Sequence, residues 1–359
     1  MSEIYENAVI TVELSDSKLE EVKKAYQNVY YHPDGQVPED HLKVADIWYA
    51  NWSGFPSCVA ALDQIPRVKI LQLSSAGANN ALQSAIMSSD EARKQIKVCS
   101  SSGMHVLSIP QYIVGNVINL YMKLHIQLHI ARSTSTWPAR DQVVEQCGAS
   151  GEAFPGNRSL SGKTVGLLGY GHIARETARL FKAFNCKIIA ANSKGDRRAE
   201  EGYRMPGTGD ADGSIPEQFY STNDEQSFQK FLSRCDIMVA SLPSTPQTTN
   251  MLKQKHLESL PHGSVFVNVG RGDLVKSEDI LGALDTPRGL WGAVLDVTDP
   301  EPLTEGHPLY THSNVIVTPH TSGSVEGYFD VGADILIAQA AILRENKEAL
   351  NVVDPAKGY

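Results

Sequence analysis

The chain carries two series of short apolar runs, most of them separated by sequence that is compatible with helices. The first third contains AVITVEL, KILQLSSAG and IKVCSSSG, and from Leu160 onward the runs are KTVGLLG, CKIIAANS, CDIMVASLP, SVFVNVG, GAVLDV and NVIVTPH. Apolar runs of roughly four to eight residues are typical of strands in a parallel sheet that is covered on both faces. Their alternation with helical segments such as DSKLEEVKKAYQN predicts an α/β fold.

Two longer apolar stretches have the pattern of helices. YIVGNVINLYMKLHIQLHIA contains Lys123 and other polar residues that a membrane span would not carry, so we expect one long buried helix there. In the C-terminal VGADILIAQAAILRENKEAL, apolar residues form one broad stripe that needs a surface to pack on, namely Ile335, Leu336, Ala338, Ile342 and Leu343. The Gly/Asp/Pro-rich stretch MPGTGDADGSIP predicts an exposed loop.

Length, charge and cysteine content narrow the class of protein. The 359 residues exceed the usual size of a single hydrophobic core, which indicates two domains. A formal net charge of -9 gives no basic field for nucleic acid or an anionic membrane, so the expected partners are small molecules or protein. The five cysteines include no C-x-x-C pair, and the N-terminus lacks the pattern of a signal peptide. We therefore expect a cytoplasmic protein without a metal site.

A glycine-rich turn predicts a dinucleotide site. It lies between an apolar run and an amphipathic helix and consists of Gly169, Tyr170, Gly171, His172, Ile173 and Ala174. Glycine permits close approach of the backbone to a pyrophosphate, which then binds the free N–H groups at the helix N-terminus. A glycine turn without a ligand is the alternative, but the position between two predicted strands favours the dinucleotide. The inward positions of the helix are predicted to be Ile173, Thr177, Leu180, Phe181 and Phe184.

The end of the next predicted strand bears on the choice of cofactor. The strand ends at Asn192, about 20 residues beyond the glycine turn, where a protein that binds NAD is expected to carry Asp or Glu. A carboxylate there would repel the 2′-phosphate of NADP, whereas Asn192, Ser193 and a cation can bind it. Positive charge comes from Lys194, Arg197 and Arg198. We predict a preference for NADP over the alternative NAD, although these cations could also be a solvated start to the next helix.

Four motifs occur in order along the chain: LLGYGHIA, VNVGRGDLV, LDVTDPEPL and VTPHTSGS. Together they resemble the motif set of the D-isomer-specific 2-hydroxyacid dehydrogenases, the family that includes glyoxylate/hydroxypyruvate reductases. The resemblance implies two doubly wound parallel-sheet domains, with a Rossmann dinucleotide domain at 134–323 inserted in a flavodoxin-like substrate domain at 1–133 and 324–359. It also implies a homodimer formed through an arm at 133–160, which contains Trp137 and Phe154.

The resemblance implies a catalytic set of Arg271, Glu301 and His320, and the chemistry supports it. Reduction of a 2-oxo acid needs a proton donor for the carbonyl oxygen, which suits His320 because imidazole titrates near neutral pH. Glu301 would stabilise the imidazolium, and Arg271 would hold the substrate carboxylate and polarise the carbonyl group. Each residue alone could be a turn histidine, a surface carboxylate or a loop cation. At the ends of successive strands they jointly indicate a substrate site.

The family pattern implies further contacts with the cofactor and the substrate. Asp296 is expected to bind the nicotinamide carboxamide, and Ala76 and Gly77 are expected to bind the substrate carboxylate through their backbone N–H groups. A plain glycine turn is the alternative at Gly77. The remaining cofactor contacts are expected from Ser241, Leu242, Pro243 and Val269. The chain departs from the family at Gln111, where relatives usually carry Glu, and at Asn192, where they usually carry Asp.

The predicted function is the NADPH-dependent, stereospecific reduction of a 2-oxo acid to a D-2-hydroxy acid. One alternative is a dinucleotide-sensing binding protein, as in the C-terminal-binding protein corepressors, which resemble the same family and retain its catalytic residues. Formate dehydrogenases also resemble the family but carry Gln at the position of Glu301. The aromatic side chains of IWYANWSGF would either form a wall favouring an apolar substrate or anchor the core; they are Trp48, Tyr49, Trp52 and Phe55.

Overall fold

The computed structural model describes residues 5–147, 156–287 and 289–354, which form two compact units. Unit 1 comprises Met1–Met104, Glu201–Met205 and Ser324–Tyr359, and unit 2 comprises His105–Glu200 and Pro206–Gly323. We expected the first boundary after residue 133, but it falls after Met104. The reason is that the helix Ile109–Tyr121 packs in the core of unit 2.

The structure contains twelve strands and twelve α-helices in the described residues. The strands are β1 (Asn7–Ile10), β2 (Asn28–Tyr31), β3 (Ile47–Ala50), β4 (Ile70–Leu73), β5 (Lys97–Cys99), β6 (Thr164–Leu168), β7 (Lys187–Asn192), β8 (Gln218–Ser221), β9 (Ile237–Ala240), β10 (Val265–Asn268), β11 (Gly292–Leu295) and β12 (Val315–Val317). The α-helices are α1 (Asp16–Ala25), α2 (Glu39–Val44), α3 (Asn79–Leu82), α4 (Asp90–Gln95), α5 (Ile109–Tyr121), α6 (Leu124–Thr134), α7 (Arg140–Cys147), α8 (His172–Ala183), α9 (Glu225–Leu232), α10 (Gln254–Glu258), α11 (Ser277–Asp285) and α12 (Tyr328–Arg344).

Unit 1 is built on a five-stranded sheet in the order β2-β1-β3-β4-β5, with every neighbouring pair parallel. This is the strand order of flavodoxin-like folds, which confirms the predicted fold of this unit. Helix α12 buries Ile335, Leu336 and Leu343, as its apolar stripe predicts, whereas Ala338 and Ile342 are only partly buried.

The aromatic cluster of unit 1 belongs mainly to the core. Trp48 and Tyr49 lie within β3 and are fully buried, so of the two alternatives these residues follow the one in which they anchor the core. Trp48 packs edge-on against Phe55, and the hydroxyl of Tyr49 donates a hydrogen bond of 2.8 Å to the carbonyl oxygen of Phe329. Trp52 is half exposed. The large rings therefore anchor β3 between the helices on its two faces.

Unit 2 is built on a seven-stranded sheet in the order β12-β11-β10-β9-β6-β7-β8, again parallel throughout. Counted from β6, this is the Rossmann order with one additional strand, as predicted. The order reverses between β6 and β9, and in open parallel sheets ligands bind beyond the carboxyl ends of the strands at such a reversal. A ligand-binding site is therefore expected in the loops that follow β6 and β9.

Two helices differ from their predicted form. The expected single long helix is broken into α5 and α6 at Lys123, whose backbone is left-handed with φ 56°. The ammonium group of Lys123 donates a hydrogen bond to the carbonyl oxygen of Gly156, which holds this break. Helix α8 buries Thr177 and Phe181 as expected, but Phe184 is 43% exposed because the helix ends one residue before it. Within the described residues, none of the helices has both the length and the apolar character needed to span a membrane.

Candidate functional site

The loops at the carboxyl edge of the unit 2 sheet carry most of the residues that the sequence singles out. They follow β6, β9, β10, β11 and β12, and the loops pack closely against one another. A Cβ atom on Gly169, after β6, would lie 2.9 Å from Cδ2 of Leu242, after β9. A Cβ on Gly272, after β10, would lie 1.7 Å from the carbonyl oxygen of Thr298, after β11. Only glycine allows these loops to approach so closely.

The turn after β6 has the geometry that a pyrophosphate requires. Gly169 has φ 87°, in the left-handed region that favours glycine, and α8 begins three residues later at His172. A Cβ on Gly171 would meet no heavy atom within 4 Å, so the space above this turn is open. The first N–H groups of any α-helix have no intrahelical partner and are available to an anion. The residues present therefore fit the diphosphate of a dinucleotide.

The side chain of Asn192, the last residue of β7, forms hydrogen bonds across the turn that follows the strand. Its Nδ2 donates to the carbonyl oxygen of Asp196 at 2.8 Å, and its Oδ1 accepts from the N–H groups of Lys194 and Gly195 at 3.1 and 2.7 Å. The amide therefore shapes the turn that presents the side chain of Lys194, which is exposed. Sequence reasoning had assigned Asn192 only a direct contact with the cofactor.

The predicted cations after β7 differ in what they contact. Arg197 is paired with Asp212, with Nη2 2.6 Å from Oδ2 and Nε donating to the Asp212 carbonyl oxygen at 2.7 Å. Ser193, Lys194 and Arg198 are exposed at the same end of the strand. To bind a phosphate, Arg197 would have to leave Asp212, whereas Lys194 has no ion pair within the described part of the chain.

A buried polar network beside the glycine turn was missed by sequence reasoning. The hydroxyl of Tyr170 donates to Oδ2 of Asp210 at 2.6 Å, and Nη1 of Arg175 donates to the Asp210 carbonyl oxygen. Nδ1 of His172 lies 2.7 Å from Oε1 of Glu200. Burial and the hydrogen bond to Asp210 raise the pKa of Tyr170. The loop predicted to be exposed is therefore tied to α8, which fixes the side chains of the glycine turn.

Arg271 occupies the turn after β10. The buried side chain of Asn268 bonds both ends of this turn: its Nδ2 donates to the Arg271 carbonyl oxygen at 3.0 Å, and its Oδ1 accepts from the N–H of Gly270 at 3.1 Å. Nη1 of Arg271 donates to the Gly270 carbonyl oxygen at 2.8 Å. The guanidinium is partly exposed, so its remaining donors can meet an anion.

His320 and Glu301 are in direct contact, as the sequence predicts. Nδ1 of His320 lies 2.7 Å from Oε1 of Glu301, and the two side chains are 50% and 42% exposed. His320 has a left-handed backbone with φ 54°, a conformation that histidine tolerates better than most residues. The N–H of His320 donates to the carbonyl oxygen of Asp296 at 2.9 Å. The pair is thus fixed at the edge of the sheet and remains open to solvent.

Asp296 organises the loop that carries His320. Its buried carboxylate accepts hydrogen bonds from Oγ1 of Thr318 at 2.6 Å, from the N–H of Thr321 at 2.9 Å, and from both the N–H and the hydroxyl of Ser322. Because Thr318 donates to Asp296, the hydroxyl of Tyr112 must donate to Thr318, at 2.7 Å. Tyr112, in α5, is a positioning residue that no sequence motif marked.

The predicted carboxylate-binding residues Ala76 and Gly77 belong to unit 1. They lie in the turn after β4, where the hydroxyl of Ser75 donates to the Gly77 carbonyl oxygen at 2.7 Å. Both residues are partly exposed, and their N–H groups make no hydrogen bond among the residues that the structure describes. Phe154 of the predicted arm lies outside the described residues.

Comparison with known proteins identifies the family. A sequence model of the family "D-isomer specific 2-hydroxyacid dehydrogenase, NAD binding domain" matches residues 126–322. The chain is 28% identical over 322 residues to the uncharacterized protein in the proB 3′ region of Corynebacterium melassecola, covering 89% of this chain and 93% of that protein. The chain therefore belongs to the D-isomer specific 2-hydroxyacid dehydrogenases, and it is an NAD(P)-dependent oxidoreductase.

Solved structures have the same fold. A D-isomer specific 2-hydroxyacid dehydrogenase family protein from Aeromonas salmonicida has a TM-score of 0.72 at 21% identity, covering 98% of this chain and 100% of that chain. The NADPH-dependent glyoxylate/hydroxypyruvate reductase of Sinorhizobium meliloti, solved with NADP and sulfate, has a TM-score of 0.69 at 21% identity, covering 99% and 100%. Both likenesses extend over the two units of the chain.

Proposed function

We propose that the protein reduces a 2-oxo acid to a D-2-hydroxy acid with NADPH, with Arg271, Glu301 and His320 as its catalytic residues. The observation that carries this proposal is the bond of 2.7 Å between Nδ1 of His320 and Oε1 of Glu301 at the carboxyl edge of the nucleotide-binding sheet. The turn of Arg271 lies at the same edge. An acid held by a carboxylate, together with a permanent cation, is the set that carbonyl reduction requires.

In this mechanism the bond to Glu301 leaves Nε2 of His320 as the atom that delivers a proton to the carbonyl oxygen. Glu301 stabilises the imidazolium before transfer and orients the ring during it. Arg271 binds the substrate carboxylate and stabilises the negative charge that develops on the oxygen. The hydride would come from a nicotinamide dinucleotide when one is bound. In the direction of oxidation, His320 accepts the proton instead.

The cofactor site we propose lies around the glycine turn and the neighbouring loops of unit 2. Backbone N–H groups at the start of α8 would hold the diphosphate. The residues proposed to line the cofactor are Gly169, Tyr170, Gly171, His172, Ile173, Ser241, Leu242, Pro243, Val269 and Asp296. For Asp296 the four hydrogen bonds within the His320 loop support a positioning role in addition to any contact with the nicotinamide carboxamide.

The proposed preference for NADPH rests on the end of β7. Asn192 brings no negative charge where a carboxylate would repel the 2′-phosphate, and its turn presents the ammonium group of Lys194 to solvent. The NADP in the Sinorhizobium meliloti relative is a second support for this preference. The exposed Ser193 can donate a hydrogen bond to the phosphate, and Arg197 can do so after it releases Asp212.

A homodimer is the proposed assembly. Three large apolar side chains are exposed on α6 and the segment after it: Trp137 is 93% exposed, Leu128 50% and Leu124 43%. Exposed tryptophan and leucine within one segment favour burial against a partner. The segment overlaps the arm expected from the family pattern.

The experiment that tests the proposed activity is a set of initial rates with NADPH and with NADH on glyoxylate, hydroxypyruvate, pyruvate and a branched-chain oxo acid. Chiral analysis of the product from hydroxypyruvate or pyruvate measures the stereospecificity. We expect turnover that is faster with NADPH and a product of D configuration. Cofactor binding without turnover of any oxo acid would contradict the proposal and favour a dinucleotide-sensing binding protein.

A further inference from the structure

The imidazole of His172 is bound to a buried carboxylate that no sequence motif marks. His172 is the first residue of α8, and its Nδ1 lies 2.7 Å from Oε1 of Glu200. The two side chains are 14% and 5% exposed. Because an ionised carboxylate can only accept hydrogen bonds, Nδ1 carries a proton and is the donor. Glu200 therefore determines that Nε2 is the ring nitrogen left for another partner.

The carboxylate of Glu200 is only partly satisfied by the protein. Its Oε2 is buried and makes no hydrogen bond within the described residues, and its one ion pair in that part of the chain is with His172. A buried charge without a partner of opposite charge costs several kcal/mol. The arrangement is therefore most favourable when His172 is an imidazolium, in which both ring nitrogens are hydrogen-bond donors.

Contacts with neighbouring backbone hold Glu200 in place beside His172. The N–H of Glu200 donates to the carbonyl oxygen of Ala211 at 2.8 Å. Two residues earlier, the carbonyl oxygen of Arg198 accepts a hydrogen bond of 2.8 Å from Nη2 of Arg175, which lies one turn along α8 from His172. The segment that carries the carboxylate is thus anchored to the same helix as the imidazole.

The imidazole belongs to the helix end where an anion is expected. Gly171, the N-cap of α8, supplies no side chain to cap the first N–H groups, and a Cβ at this glycine would meet no heavy atom within 4 Å. Nε2 of His172 makes no hydrogen bond among the residues that the structure describes. An anion at this helix end can therefore meet backbone N–H groups and a charged ring donor together.

We propose that Glu200 is a positioning residue for the cofactor, which acts through His172 and directs Nε2–H of the imidazolium to the diphosphate. This inference rests on the proposed function, in which the start of α8 binds the diphosphate of NADPH. It differs from the role proposed for Lys194, which concerns the 2′-phosphate. NADPH, NADH and ADP-ribose all contain the diphosphate, so they should depend on Glu200 to the same extent.

The test is a double-mutant cycle on the Kd of these three ligands, measured by fluorescence titration for the dinucleotides and by calorimetry for ADP-ribose. The proteins are wild type, Glu200→Gln, His172→Ala and the double variant. Gln removes the charge of Glu200 but keeps an oxygen that can accept from Nδ1. We expect Glu200→Gln to raise all three Kd values about fivefold to tenfold in wild type. In His172→Ala the same substitution should change them by less than about twofold.

Two further variants separate positioning from a structural role. Glu200→Asp keeps the charge at a longer distance from Nδ1, so its Kd values should be intermediate; it replaces Glu200→Gln in the cycle if that variant does not fold. Glu201→Gln changes the exposed carboxylate next in the chain and should leave all Kd values unchanged. A carboxylate that only stabilised its own segment would affect binding equally with and without the imidazole.

Equal effects of Glu200→Gln in the two backgrounds would therefore overturn the proposal. Unchanged Kd values in Glu200→Gln, or a loss confined to NADPH, would overturn it as well. If wild-type protein binds none of the three ligands, the proposed cofactor site, and with it the proposed function, has failed.

Discussion

The imidazole of His320 is bound to the carboxylate of Glu301 through a distance of 2.7 Å between Nδ1 and Oε1, and both side chains remain open to solvent. Their contact joins the loop after β12 to the loop after β11. Because the backbone N–H of His320 also bonds the Asp296 carbonyl oxygen, the residue is held through both its backbone and its ring. Nδ1 is thus engaged by Glu301, and Nε2 is the imidazole nitrogen to which the proposed mechanism assigns the proton transfer.

Glu301→Gln removes the negative charge of this carboxylate and keeps nearly the same side-chain shape. The Gln side chain keeps an oxygen for the hydrogen bond to His320 but no longer stabilises the imidazolium. We expect kcat for reduction to fall about tenfold to hundredfold, with little change in NADPH affinity. The exposed neighbour Glu305 provides the control, since Glu305→Gln should leave kcat unchanged. Equal effects of the two substitutions would remove Glu301 from the mechanism.

Lys194→Ala should weaken the binding of NADPH more than that of NADH. Loss of a charge-assisted hydrogen bond of about 1.5–3 kcal/mol corresponds to a roughly tenfold to hundredfold higher Kd for NADPH. Lys187 is an exposed lysine at the opposite end of the same strand, so Lys187→Ala is the matched control. Fluorescence titration with both nucleotides measures the difference; a parallel loss for NADH would argue against a phosphate contact.

Trp137→Ala should weaken the proposed dimer. The indole is 93% exposed in the single chain, and burial of such a side chain in an interface commonly contributes about 2 kcal/mol or more. Sedimentation velocity should give twice the mass of one chain for wild type and a larger monomer fraction for the variant. Trp52→Ala, which changes another exposed tryptophan, should not alter the mass distribution. A monomeric wild type would refute the assembly.

His105 should make the folded state sensitive to acid. Its pKa is about 4 when folded and near the ordinary 6.5 when unfolded, so the unfolded state binds more protons between these values. Stability therefore falls as pH decreases from 6.5 to 4, by about 3 kcal/mol from this residue. Melting temperatures from pH 7 to pH 4 should decline less in His105→Asn and His105→Leu than in wild type. Identical declines in all three proteins would contradict the burial of a neutral His105.

Local sequence patterns predicted most strands of the two sheets, and the family motifs pointed to His320 and Glu301, which are in contact in the structure. Apolar runs mark most of the strands, and the turn residues that end them carry the family motifs. β3 was not among the predicted strands, although Trp48 and Tyr49 alternate between two buried faces. The prediction also missed β8, because the run around Tyr220 is short and half-buried.

Contacts between distant residues could not be predicted from the sequence. Tyr112 and Thr318 are 206 positions apart, and a tyrosine on an apolar helix gives no sign that its hydroxyl bonds another loop. Asp210 lies in a Gly/Asp/Pro-rich stretch that is typical of exposed loops, yet it is buried because Tyr170 and Arg175 satisfy its oxygens. Such positions are determined by tertiary structure rather than by local periodicity.

The central claim is tested most directly by the rate at which NADPH is oxidised in the presence of hydroxypyruvate or glyoxylate, in wild-type protein and in His320→Ala. We expect turnover with at least one of these acids in wild type. In the variant we expect a loss of about a hundredfold or more in kcat, with NADPH affinity retained. No oxidation of NADPH by wild type, or undiminished turnover in His320→Ala, would contradict the claim.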